Sequence, residues 1–255
     1  MKMENQELTM LALLIEGHIG LERQGPGSSE MTLKALGFIN DQSAIKHVAD
    51  LGCGSGGQTM VLARHISGEI VGVDLFQDFI DAFNANSEKL SFQNRVTGIV
   101  GSMENLIFEK ESFDLIWSEG AIDNIGFETG MTHWQSFLKQ GGHIAVTCPS
   151  WLTAEHPAEV DKFWADAGSG LDNVEHNIAV MQKCGYSFVA AFGIPEECWK
   201  DNYFTPREAA EKVLLEKYGN NKILEDYIKG NRREVELFEK YKRHYGYAFY
   251  IGRKG

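Results

Sequence analysis

Between Val48 and Gly57 the chain reads Val-Ala-Asp-Leu-Gly-Cys-Gly-Ser-Gly-Gly, an apolar run that ends on an acid and enters a glycine-rich turn. Gln58-Thr-Met-Val-Leu-Ala63 then continues with helical spacing. Glycines in such a turn take positive φ and let a ligand approach bare backbone. The following helix aims free N–H groups and its positive dipole end at an anion. This strand–turn–helix order predicts an α/β fold with a nucleotide-containing cofactor at the turn. The glycine spacing leaves the cofactor open: Gly52, Gly54 and Gly57 satisfy G-x-G-x-x-G, and Gly52, Gly54 and Gly56 satisfy G-x-G-x-G.

Asp50 discriminates between cofactors. A carboxylate beside this turn repels a pyrophosphate but suits an ammonium group. S-adenosylmethionine offers that ammonium, and a carboxylate for the helix N-terminus; a nicotinamide dinucleotide offers neither. Glu69-Ile-Val-Gly-Val-Asp74 is a second buried-strand pattern ending on an acid, placed to take both ribose hydroxyls. Further strands are predicted at Arg95–Val100, Ser112–Ser118 and Gly142–Cys148.

The blocks VADLGCGSGGQT, IVGVDLFQDFI, GSMENLIFEKESFDLIWSEGAI and LKQGGHIAVTC resemble, in order and spacing, the successive motifs of class I S-adenosylmethionine-dependent methyltransferases. Upstream, ERQGPGSSE at Glu22–Glu30 resembles a leader of uncharacterised bacterial small-molecule methyltransferases. The resemblance implies a Rossmann-like, seven-stranded, mostly parallel sheet with an antiparallel last strand, helices on both faces and helical lid insertions. It also implies that Asp50, Gly52, Gly54 and Gly56 cradle the methionine end, with Cys53 inside the same cofactor-binding turn; Arg23 and Gln24, which precede a Gly-Pro-Gly turn, are expected to close over the cofactor carboxylate or to form a surface loop. Asp74 then binds the ribose, Leu75 packs on the adenine, and Ser102 and the Met103 backbone read the adenine edge. Many family members carry Asp where this chain has Ser102, a neutral and weaker partner. Glu119 borders the reactive methyl.

Methyl transfer needs in-line placement and exclusion of water more than acid–base help. Where the acceptor is protonated, Glu119 and Asp123 are the expected bases, flanking the strand end nearest the methyl; His18, His156 and His176 are the histidine alternatives. Trp151, Trp199 and Tyr203 follow strand ends and are expected to form the acceptor pocket or to pack the cap helices. The rival readings are a nicotinamide-dependent oxidoreductase on the same turn and a cofactor-binding protein without chemistry.

The 255 residues suit one domain, with residues 1–45 as an N-terminal helical cover, 46–149 as the cofactor core and 150–255 as substrate-side helices and the last two strands. Residues 1–27 and about 199–245 are expected to cover the site as lids. A formal charge of −12 offers no basic patch for nucleic acid. Four scattered cysteines without C-x-x-C predict neither a metal site nor a disulfide framework, and a cytoplasmic setting. The apolar run Met10–Ile15 is too short for a membrane span and reads as part of an amphipathic helix over Gln6–Gly20. Ser28 or Ser29 is expected to cap a helix reaching Ile39, and Thr205 to cap one with Pro206 at its first position. The partner is a small-molecule methyl acceptor of unknown identity; the sequence leaves the oligomeric state open.

Overall fold

The computed structural model describes residues 8–255, so Gln6 and Glu7 of the predicted first helix lie outside the described residues. In chain order the helices are α1 (Met10–His18), α2 (Ser29–Leu36), α3 (Gly57–His65), α4 (Gln77–Lys89), α5 (Phe127–Gln135), α6 (Ala158–Asp166), α7 (Val174–Lys183), α8 (Glu197–Trp199), α9 (Thr205–Tyr218) and α10 (Lys222–Tyr241). The strands are β1 (His47–Leu51), β2 (Glu69–Asp74), β3 (Val96–Val100), β4 (Phe113–Ser118), β5 (Leu138–Trp151), β6 (Asp172–Asn173), β7 (Tyr186–Gly193) and β8 (Tyr245–Lys254). They form one sheet in the order β3-β2-β1-β4-β5-β8-β7, with the two-residue β6 paired off this path to β5. β1 to β5 run parallel, and β8 is antiparallel to both β5 and β7. The seven-stranded path is the expected Rossmann-like sheet; β6 is an addition.

Alternation along the strands divides the core between the two faces of the sheet. On β8, Tyr245, Tyr247, Phe249 and Ile251 join one cluster with Leu62 of α3, Phe83 of α4 and Phe238 of α10. Ala248 and Tyr250 join the other, with Met131 and Trp134 of α5 and Met181 of α7. Strand order reverses between β1 and β4, which opens a crevice at the carboxyl ends of the strands, the usual ligand position in such sheets.

Ser28 caps α2: its hydroxyl accepts the Met31 N–H at 3.1 Å. The Thr205 expectation is corrected. The chain is already helical from Glu197, passing through a π-helical turn at Lys200–Phe204 before α9, so Thr205 sits inside a continuous helical run. β5 is longer than predicted at both ends: Leu138 pairs with Phe113 of β4, and β8 carries the pairing on to Trp151. A third, smaller cluster joins Leu13 of α1 to Leu214 of α9 and to Leu224, Tyr227 and Ile228 of α10. The N-terminal helix and the late insert therefore pack as one cover over the strand ends.

Candidate active site

One cavity of about 620 Å³ lies over the crevice. Its floor comes from the strand ends: Gly52–Gly54 after β1, Asp74–Phe76 after β2, Gly101–Glu104 after β3, and Glu119 to Ile125 after β4. Gly54 has φ +52°, and a Cβ there would lie 1.9 Å from Gln24 Oε1, so the position admits neither the backbone strain nor the volume of a side chain.

Asp74 lines the cavity where β2 ends. Its Oδ2 accepts the Gly54 N–H at 2.9 Å and its Oδ1 accepts the Phe76 N–H at 3.1 Å. Each carboxylate oxygen keeps a second acceptor position, which fits a pair of vicinal hydroxyls. Burial holds this carboxyl above its usual range despite those amides. Leu75 beside it is 61% exposed on the cavity rim, an apolar face of the kind a planar ring covers. Ser102 Oγ accepts the Glu104 N–H at 3.2 Å, and the Met103 carbonyl accepts the Trp134 indole N–H at 2.9 Å.

Asp50 stands differently from its expectation. It is fully buried beneath the turn and does not line the cavity. Its Oδ2 accepts the Thr59 hydroxyl at 2.5 Å, tying β1 to α3, while Oδ1 has no donor. Burial pushes its carboxyl up to about 7, with the Glu119 charge adding to the rise. Asp50 thus reaches a ligand's ammonium only through its field. Gly56 also lies off the cavity: it is the left-handed N-cap of α3, above Phe83. The α3 N-terminus is itself covered, because a Cβ on Gly57 would lie 2.1 Å from the Glu22 carbonyl. Cys53 lines the cavity, but burial, with Asp50 and Asp74 adding to it, raises its thiol well above the ordinary value, so it is inert.

Gln24 faces the cavity and is pinned to the turn. Its Oε1 accepts the Ser55 N–H at 3.0 Å, and its Nε2 donates to the His18 and Leu21 carbonyls at 3.2 Å. Arg23 and Glu119 form a buried pair, both side chains 5% exposed, with Nη1 to Oε2 at 2.7 Å. Thr32 Oγ1 and the Trp117 indole N–H donate to the other Glu119 oxygen at 2.7 and 2.8 Å. Three donors occupy this carboxylate, so Glu119 ties the N-terminal cover to the end of β4.

Asp123 is the other carboxylate with an oxygen left unbonded, although its own backbone N–H bears on the group. Its Oδ1 has no donor, it lines the cavity, and burial pushes it up to about 6. Of the aromatic expectations, only Tyr203 reaches the cavity. Trp151 stacks on His156 at 4.5 Å and Trp199 on Phe238 at 4.5 Å, both inside the core. The wall opposite the turn was not foreseen. Arg207, 2% exposed, donates to Tyr203 Oη at 3.0 Å and to Glu234 Oε2 at 2.5 Å, and to the Asn231 carbonyl at 3.1 Å. His18 Nδ1 donates to the Leu14 carbonyl at 2.8 Å, leaving Nε2 to accept from the Tyr203 hydroxyl at 3.3 Å. Tyr227, Glu234 and Tyr247 complete that wall. No local spacing in the sequence joins these side chains to the glycine turn. Among the described residues no group of three or more His, Cys, Asp or Glu is placed to hold a metal ion.

The crevice at the strand reversal, the glycine turn and the acid closing β2 define a nucleotide-cofactor site, and the comparisons give its class. Residues 48–142 match the family model described as a methyltransferase domain. The chain is similar to a geranyl diphosphate 2-C-methyltransferase of Streptomyces ambofaciens, 24% identical over 131 residues, 51% of this chain and 44% of that protein. It is similar also to a sarcosine/dimethylglycine N-methyltransferase of Aphanothece halophytica, 29% identical over 114 residues, 44% of this chain and 40% of the relative. The matches span less than half the length of either relative. In fold it is similar to phosphoethanolamine N-methyltransferase 2 of Haemonchus contortus, with TM-score 0.73 and 20% identity, covering 98% of this chain and 58% of that one. Residues 48–142, which hold the glycine turn and the acid closing β2, thus carry the likeness to a methyltransferase domain.

Proposed function

We propose that the chain transfers a methyl group from S-adenosylmethionine to a small molecule, releasing S-adenosylhomocysteine. The observation that carries this reading is the continuity of a single cavity from Asp74 and Leu75, past Gly52–Gly54 and Glu119, to Tyr203 and Tyr247. The Haemonchus neighbour was crystallised with S-adenosyl-L-methionine, which supports the same cofactor here. When bound, the sulfonium supplies an activated methyl and its own leaving group. The chain supplies the rest. Asp74 accepts from the ribose hydroxyls, Leu75 lies against the adenine, and Ser102 with Met103 borders the adenine edge. Gly52, Cys53 and Gly54 leave room for the methionine end beneath Arg23 and Gln24. Asp123, its Oδ1 without a donor and its carboxyl pushed up to about 6, is positioned to hold an acceptor proton. The cover built by α1, α9 and α10 excludes water from the transfer.

On this reading the chain is one domain, with 1–45 and 150–255 serving as cover and acceptor wall for 46–149. The four free cysteines support a reducing, cytoplasmic setting. No helix among the described residues is long and apolar enough to cross a membrane.

The test is release of S-adenosylhomocysteine, with methyl-labelled cofactor followed onto products of a metabolite extract. Turnover that depends on the extract and disappears in Asp74→Ala is expected. Cofactor binding without label transfer to any extract would leave a binding protein and overturn the proposal.

A further inference from the structure

The charges lining the acceptor half of the cavity do not cancel, and the remainder is specific. Two cations line the cavity among the described residues, and each is already matched: Arg23 by Glu119, with side chains 5% and 5% exposed, and Arg207 by Glu234, with side chains 3% and 15% exposed. His18 is neutral, because burial and the Arg207 charge push it down to about 4. Asp74 and Glu104 belong to the ribose and adenine end. That leaves Asp123, whose Oδ1 has no donor.

Asp123 and Tyr247 line the same cavity; burial raises the Cys148 thiol and the Tyr247 phenol most, and the Asp123 charge adds to the rise in both. Tyr247 is 6% exposed, lines the cavity, and has its ring edge 3.9 Å from where a Cβ on Gly120 would sit. Tyr203 and Tyr227 add two more rings, and Leu11, Leu14 and Ile125 add apolar surface beside the neutral amides of Asn124 and Asn231. A phosphate or carboxylate entering here meets no unmatched cation and one unmatched anion. An ammonium group meets a carboxylate with an oxygen that lacks a donor, which favours it.

Resting on the methyltransferase reading above, we propose that the acceptor is an amine on an uncharged, largely apolar body, its nitrogen held between Asp123 and Tyr247. Acceptors bearing phosphate or carboxylate groups are excluded. This separates the chain from its relative named for geranyl diphosphate, a polyanion. The step balances simply. The ammonium gives its proton to the Asp123 carboxylate. The freed nitrogen lone pair forms the new N–C bond, the C–S bond breaks, and its electron pair stays on sulfur. The proton then leaves to solvent.

The experiment uses the full chain with S-adenosylhomocysteine bound and measures calorimetric affinity for matched probes. These are 2-phenylethylamine, 2-phenylethanol and 2-phenylethyl phosphate, and the same three head groups on a hexyl chain. At least one amine should bind about tenfold or more tightly than its alcohol partner, with no measurable binding of either phosphate. Amine affinity should rise with pH through about 6, as Asp123 ionises. Asp123→Asn should lose about tenfold in amine affinity while S-adenosylhomocysteine affinity is unchanged. Glu234→Gln, checked for folding by its melting temperature, leaves Arg207 unmatched and should give measurable phosphate binding. Phosphates binding as tightly as amines, no amine preference in either series, or no phosphate gain in folded Glu234→Gln overturns the proposal. Failure to bind S-adenosylhomocysteine strikes the methyltransferase reading itself; binding it without amine preference strikes the amine assignment alone.

Discussion

The two halves of the cavity are built by different means. The cofactor half is made by turns that follow β1, β2, β3 and β4, so each contributing residue is close in sequence to a strand end. The acceptor half sets Asp123, after β4, against α1, the π-helical turn before α9, α9 itself, α10 and β8, which come from opposite ends of the chain. The first half rests on backbone geometry, as at Gly54, and on amides bonded to Asp74. The second rests on a chain of side-chain bonds through His18, Tyr203, Arg207 and Glu234.

Breaking the cradle should have the largest effect. Gly54→Val places a branched side chain at positive φ and onto Gln24, and calorimetry should find no measurable cofactor binding while circular dichroism stays native-like. Native affinity in this variant would mean that the turn is not the cofactor site. Next comes the strut joining the halves. Arg23→Ala leaves Glu119 buried and uncompensated, and should cost about 3–5 kcal/mol of unfolding free energy in urea titrations. Asp74→Ala should weaken cofactor binding by about 1.5–3 kcal/mol with little change in melting temperature, since the loss is of hydrogen bonds to a charged group.

A smaller effect separates the buried acid from the one that lines the cavity. Asp50 has a folded pKa raised to about 7 by burial, so its contribution to stability is present below its unfolded value and lost as pH rises through 7. Asp50→Asn should therefore gain about 1–2 kcal/mol of stability at pH 8 and flatten the pH dependence above pH 5. An unchanged pH profile would show that Asp50 is not the titrating group. The smallest effect belongs to the acceptor wall: Tyr203→Phe removes neutral and cation-assisted bonds at the end of α8–α9, and should cost about 0.5–1.5 kcal/mol in stability while leaving cofactor affinity intact.

The same contrast explains what the sequence disclosed. Gly52, Gly54, Asp74, Leu75 and Ser102 were readable because a strand pattern followed by a turn fixes where its next few residues point, and all five line the cavity. Asp50 was placed on the right strand, but alternation left open that its side chain sits beneath the turn. Glu119 read as a base because its three donors, Arg23, Thr32 and Trp117, come partly from a segment far upstream. Trp151 and Trp199 show the limit for large aromatic residues: hydropathy cannot tell a pocket wall from a core, and both pack inside. Arg207 and Glu234 carried no local signal, since their meaning arises only when α9 and α10 pack on α1. The length of β5 was hidden for a similar reason: its pairing with β8 is a long-range event, and Gly141–Gly142 resembles a strand start.

The central claim is that the cavity over the strand reversal is an S-adenosylmethionine site, and titration calorimetry of the full chain tests it most directly. S-adenosylmethionine and S-adenosylhomocysteine should each bind with one site and micromolar affinity, about −8 kcal/mol, with no heat from NAD under the same conditions. Binding of NAD with no binding of either adenosyl ligand would contradict the account and return the glycine turn to the dinucleotide reading.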